Sequence, residues 1–153
     1  MKLRRALVGI LTALMATVGI QVVAEPAFAA PWNCNILEYD NGRHVETTNA
    51  NNGGGSAISG DVCWTANGNG YYTVHVRWTV SDIKSDGAGA TIRMEYTGTD
   101  GATHYFVPAS ADRAWANGEN AFGTWNLSNA KNLYVRACLT NTSSPAHHCS
   151  AKV

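Results

Sequence analysis

YYTVHVRWTV (71–80), followed by SDIKSDGAG (81–89) and ATIRMEYT (90–97), carries the clearest pattern in the 153-residue chain. Tyr72, Val74, Val76, Trp78 and Val80 alternate with Tyr71, Thr73, His75, Arg77 and Thr79. Successive side chains of an extended chain point to opposite faces, so this run reads as a strand with one apolar and one wet face. Ile92, Met94 and Tyr96 alternate with Thr91, Arg93, Glu95 and Thr97 in the same way. The two runs are expected to pair as an antiparallel hairpin across the polar loop. Their shared apolar face must be covered, most simply by a second sheet.

Outward from this stretch the pattern continues. SAISGDVCWT (56–65) places Ile58, Val62 and Trp64 at even positions, and Asn67-Gly68-Asn69-Gly70 is a hairpin turn that joins it antiparallel to 71–80. Asp100-Gly101 turns the chain back into 104–107, and Pro108 ends that strand. Residues 109–116 allow a turn or two of helix before Asn117-Gly118 stops it. FGTWNL (122–127) suggests one more strand. The last clear one follows at 133–140, where Leu133, Val135, Ala137 and Leu139 face one way and Cys138 the other. Near the start, 36–39 is a short strand at most, and Asn41-Gly42 is a turn signal. TTNANNGGGS (47–56) offers nothing to a core and reads as a mobile loop. Six to eight short strands with little helix predict an all-β fold, an antiparallel β-sandwich with two disulfides, the alternative being a closed β-barrel.

The chain opens like an export signal. Lys2, Arg4 and Arg5 precede an uncharged apolar run over 6–23, and Ala27-Phe28-Ala29 fits the small-x-small cleavage rule. A signal peptide over 1–29 leaves a single secreted domain over 30–153, long enough for one modest core. Losing the leader turns an even balance of 11 basic and 11 acidic residues into 8 against 10, a net charge of −2. No basic cluster remains to neutralise a phosphate backbone, which argues against nucleic-acid binding. No amphipathic helical segment follows, so the mature chain is expected off the membrane.

All four cysteines lie in the mature part, and an even count in a small exported domain predicts disulfides. Cys34–Cys63 and Cys138–Cys149 are the favoured pairs because each is close in sequence and tethers a chain end. The rival is a Cys63–Cys138 bridge between sheets. No CxxC pair favours zinc.

Chemistry is sparse. Asp82, Asp86 and Asp100 sit in turns without the spacing of a calcium loop, and such turns need Asp in any case. His147 and His148 are adjacent, and neighbours in an extended chain point apart, which disfavours both rings on one metal with His104. Bridged cysteines supply no nucleophile. No G-x-S-x-G marks a serine, and no pair among Glu38, Glu46, Glu95 and Glu119 stands out for acid/base work. Glu95, beside Arg93 on a polar strand face, reads as solvated. No catalytic, metal or cofactor site is therefore predicted. Tryptophans are the better lead: Trp78 belongs to the core, whereas Trp32 and Trp115 lie in irregular stretches and are candidate binding residues.

The Ala-rich leader ending AFA, the stretch TVHVRWTVSDIKSDGAGATIRMEY, and NLYVRACLTNTSS with its trailing cysteine resemble the small exported four-cysteine β proteins of Streptomyces and related actinomycetes. A subset of those, similar in size and cysteine count, forms the small linking subunit of the secreted umbrella toxin particles. That resemblance implies a non-catalytic subunit joining two other proteins, and no contact residue carries over from it. The expected function is thus an exported binding protein whose partner is another secreted protein, as in an extracellular assembly such as a toxin particle. The alternatives are a polysaccharide-binding module using Trp32 and Trp115, or an inhibitor of secreted proteases or glycosidases. The floppy reading of 47–56 speaks against the inhibitor, because tight inhibitors need a rigid loop.

Overall fold

A computed structural model describes Cys34 and residues 39–153. The leader over 1–29, Trp32 and most of the expected strand at 36–39 lie outside the described residues. The described residues form an all-β antiparallel sandwich of six strands: β1 (Asn41–Thr48), β2 (Ser56–Ala66), β3 (Tyr72–Asp82), β4 (Gly89–Thr97), β5 (Thr103–Phe106) and β6 (Asn120–Thr140). A single 3-10 turn, Ser110–Asp112, stands where a helical turn was expected.

The strands hydrogen-bond in the order β1-β2-β3-β6-β4-β5. The ends β1 and β5 do not meet, so the barrel alternative is excluded. One strand makes two layers out of this single sheet. At 21 residues β6 would run about 70 Å if straight, against a radius of gyration of about 13 Å for a domain of this size. It bends instead, through Asn129 (φ 61°) and Asn132 (φ 53°), asparagine being one of the few residues at ease at positive φ. Its first half, up to Ala130, pairs with β3, and its second half, from Lys131, pairs with β4. The two runs expected at 122–127 and 133–140 are therefore one strand, and SNAKN between them is its corner.

This corner overturns the expected pairing of β3 with β4. Those strands do not share a ladder. They face each other across the core, where Val76, Trp78 and Val80 meet Ile92, Met94, Val135 and Ala137, all nearly inaccessible. The polar loop at 83–88 carries the chain from one layer to the other. Other expectations hold. β2 pairs with β3 across the Asn67–Gly70 turn, with Gly68 and Gly70 at positive φ, and β4 pairs with β5 across Asp100-Gly101. Trp78 is buried, with Gly60 and Gly123 beside it on the neighbouring strands. A Cβ on Gly123 would stand 2.5 Å from the indole, so that position needs a bare backbone.

β1 was missed. It begins at Asn41-Gly42, which is strand and not turn, and only Val45 in it is a core residue. An edge strand with one apolar residue leaves no period to detect. The bridges Cys34–Cys63 and Cys138–Cys149 both form. Beyond the second, residues 147–153 run along the edge of β6 that β4 leaves free. Leu139 and His147 exchange two bonds of 2.9 Å, and Val135 and Val153 exchange bonds of 2.9 and 3.1 Å. Cys138 is fully buried beneath this tail.

The glycine-rich 47–56 loop is a fixed turn, contrary to its reading as mobile. Asn49 is buried; its Oδ1 accepts from Ser56 N (2.9 Å) and its Nδ2 donates to His148 O (3.0 Å). Asn52 Nδ2 donates to Cys149 O at 3.1 Å, so the turn is tied to the second bridge. Polar residues supply this order through hydrogen bonds, which hydrophobic patterning does not register.

Candidate binding site

Three surface clusters carry the chemistry. The first is built at one end of the sandwich, where β3 finishes. Gly118 N donates to Asp82 O (2.7 Å) and Asp82 N to Glu119 O (3.0 Å), which fixes the 115–119 turn against β3. Glu119 Oε2 accepts from Trp115 N (2.6 Å) and Ala116 N (2.9 Å). The Trp115 indole Nε1 donates to Ser110 O at 2.8 Å. Trp115 is thus held at backbone and ring while remaining 38% exposed, and its only polar atom is already satisfied. Elsewhere on the surface Ile83 is 55% exposed, and Phe122, which lies with Arg77 and Asp61 on the outer face of the β3–β6 layer, is 77% exposed. Exposed large apolar side chains on tethered segments mark a contact surface, since the entropy of ordering them has been lost in advance.

The second cluster covers the outer face of the β4–β6 layer. Tyr105, Glu95 and Tyr134 lie in register across β5, β4 and β6, and Arg93 pairs directly with Arg136. Glu95 is not solvated, as its sequence context suggested; it is 3% exposed and encircled by cations. Arg93 Nη2 donates to its Oε1 at 2.5 Å, and Lys152 Nζ stands 2.8 Å from Oε2. Arg136 Nε lies 2.8 Å from Oε1 but off the hydrogen-bond direction, so that contact is ionic. Burial alone would raise the Glu95 pKa; the bonds from Lys152 and Arg93 and the Arg136 charge outweigh it and hold the carboxyl below its usual range. Arg93 also lies over the Tyr105 ring and Lys152 over Tyr134.

The third cluster lies on the outer face of the other layer. His44 Nδ1 is 2.8 Å from Asp61 Oδ1, Ser59 Oγ is 3.3 Å from His44 Nε2, and Arg77 Nη2 donates to Asp61 Oδ2 at 2.5 Å. Serine, histidine and aspartate are thus linked in the order that acyl transfer uses, brought together by cross-strand register and by no local motif. The arrangement does not support that chemistry. Both edges of β2 are taken by β1 and β3, so the Ser59 backbone has no free N–H to face an oxyanion. His44 Nε2 is shared with Glu46 at 3.3 Å, and its pKa is raised, first by the Asp61 bond, which favours the imidazolium that cannot accept a serine proton. The set is an ion-pair lattice binding edge strand β1 to β2.

The turn aspartates have local roles: Asp82 accepts from Lys84 N, Asp86 from Ala88 N and Asp100 from Ala102 N. His147 and His148 do meet, Nδ1 to Nδ1 at 2.7 Å, because His148 takes a positive φ of 47° that breaks the extended geometry. Among the described residues no group of three or more His, Cys, Asp or Glu is placed to hold a metal ion, and no helix is long and apolar enough to cross a membrane. No family model, curated protein or solved structure matches the chain. Two disulfides with no free cysteine suit an oxidising, extracellular setting.

Proposed function

We propose that the protein is a secreted binding protein without catalytic activity and that its partner is another exported protein. The observation that carries this reading is Trp115, clamped by Glu119 and Ser110 with its ring still accessible. A rigid, exposed aromatic anchor is what protein interfaces concentrate their energy on. The finer reading, a linking subunit in an extracellular toxin particle, rests on the resemblance alone.

The test is a pull-down of tagged mature protein from culture supernatant, with mass spectrometry of what copurifies, run beside Trp115→Ala. An exported protein retained by the parent and lost from the variant is the expected result. Recovery of the protein alone, or equal capture by both, would count against it. Because the Trp115 N–H is spent internally, the ring is also suited to stacking on a sugar, and retention on chitin, cellulose or xylan that Trp115→Ala abolishes would favour the polysaccharide alternative.

A further inference from the structure

At the opposite end from Trp115, beside the β6 corner, the layers part around a cavity of about 350 Å³. Val62, Trp64, Val74 and Leu133 supply its apolar walls, with Arg43 and Lys131 among them. The volume falls within the range of small-molecule sites, which combine an apolar lining with few polar groups.

Arg43 is the informative residue. It shares a face of β1 with core residue Val45 and lies in register with buried Val62, so its side chain turns toward the inside of the sandwich. Among the described residues its guanidinium makes one hydrogen bond, Nη2 to Leu133 O at 3.0 Å, although it carries five N–H donors. Among the described residues no carboxylate comes within ion-pair distance of Arg43 or of Lys131, whose ammonium rests over the Tyr71 ring at 4.8 Å. Burial lowers the Arg43 pKa, a sign that the charge is held at a cost. A partly desolvated cation without a counter-ion is unfavourable in the free protein, and an arriving anion relieves it.

We infer that this cavity binds a small organic carboxylate, its apolar body against Val62, Trp64, Val74 and Leu133 and its carboxylate received by Arg43, with Lys131 at the rim. The planar fork of arginine suits a carboxylate better than any other side chain does. A competing role exists for Arg43, since an inward-pointing charge on an edge strand also discourages pairing with other chains. That role requires no ligand.

The experiment is an NMR titration of 15N-labelled mature protein with 3-phenylpropionate and, as the neutral counterpart, 3-phenylpropan-1-ol. The acid is expected to shift the amides of Val62, Val74 and Leu133 saturably and to bind at least about tenfold more tightly than the alcohol. Arg43→Gln should erase that preference and Arg43→Lys should reduce it. If Arg43→Gln does not fold, Arg43→Lys and a loss of preference in high salt decide the matter. Equal binding of acid and alcohol, an unchanged preference in the variants, or no shift at those amides would overturn the inference. Tighter binding of a peptide ending in phenylalanine with a free carboxylate, lost on amidation, would also overturn it by making a protein chain end the occupant.

Discussion

Replacing Glu95 by glutamine keeps the side chain's shape and removes one negative charge from beneath Arg93, Arg136 and Lys152. Arg93 and Arg136 sit directly opposite each other on β4 and β6, so without the carboxylate they become an unrelieved like-charge pair. Their side chains are 25% and 21% exposed, against 44% for Lys152. Breaking a buried ion pair by removing one partner costs roughly 3–5 kcal/mol, and the partial hydration of these cations, Lys152 above all, argues for the lower end. We expect a loss of about 3 kcal/mol, corresponding to a fall in Tm of about 10 °C for a domain of this size. Urea unfolding with both disulfides intact measures it. The pH dependence supplies a second reading. A carboxyl held below its ordinary value of about 4.3 stabilises the fold fully above that pH and ceases to do so as pH falls through the depressed folded value. The gap between parent and variant should therefore be full at pH 7 and narrow toward pH 3. A variant within about 0.5 kcal/mol of the parent at pH 7, the range of ordinary surface substitutions, would refute the reasoning. So would a gap that does not change with pH.

Gly123→Ala places a methyl 2.5 Å from the Trp78 ring, which is buried and cannot move aside freely, so we expect a loss of about 1–3 kcal/mol and an altered near-ultraviolet circular dichroism band. The two bridges close loops of unequal length, 29 and 11 residues apart in sequence. Loop entropy then gives about 3.6 kcal/mol for removing Cys34–Cys63 and about 2.8 kcal/mol for removing Cys138–Cys149, and paired Cys→Ser variants in urea should preserve that order. A larger loss from the shorter loop would show that Cys138–Cys149 acts mainly by holding the tail and the 47–56 turn in place.

The fold was readable wherever one face of a strand is apolar. β2, β3, β4 and the second half of β6 carry alternation strong enough to place them, and their turns use asparagine, aspartate and glycine where positive φ is needed. Alternation says which face a residue takes and nothing about which strand lies beside it. That is why β3 and β4, neighbours in the chain, were given one ladder when they occupy two layers. The cause is the β6 corner, whose positive-φ asparagines look in sequence like any other turn. β1 and the 47–56 turn were hidden for a different reason: hydrogen bonds and one core valine hold them, and neither leaves a period.

The binding surfaces were less readable, because each depends on register between distant strands. Glu95 looked solvated since only Arg93 is near it in sequence; Arg136 and Lys152 arrive through β6 and the tail that runs beside it. Arg43 carried no signal in the sequence, and only its pairing with Val62 shows that it points inward. Trp115 was legible as a candidate because its surroundings have no strand period, but its rigidity comes from Glu119 and Ser110 and had no signal of its own. The β6 corner links these outcomes. It moves the second half of the strand away from β3 and alongside β4, which brings Arg136 opposite Arg93 on one surface and sets the Leu133 carbonyl against Arg43 in the wall of the cavity on the other.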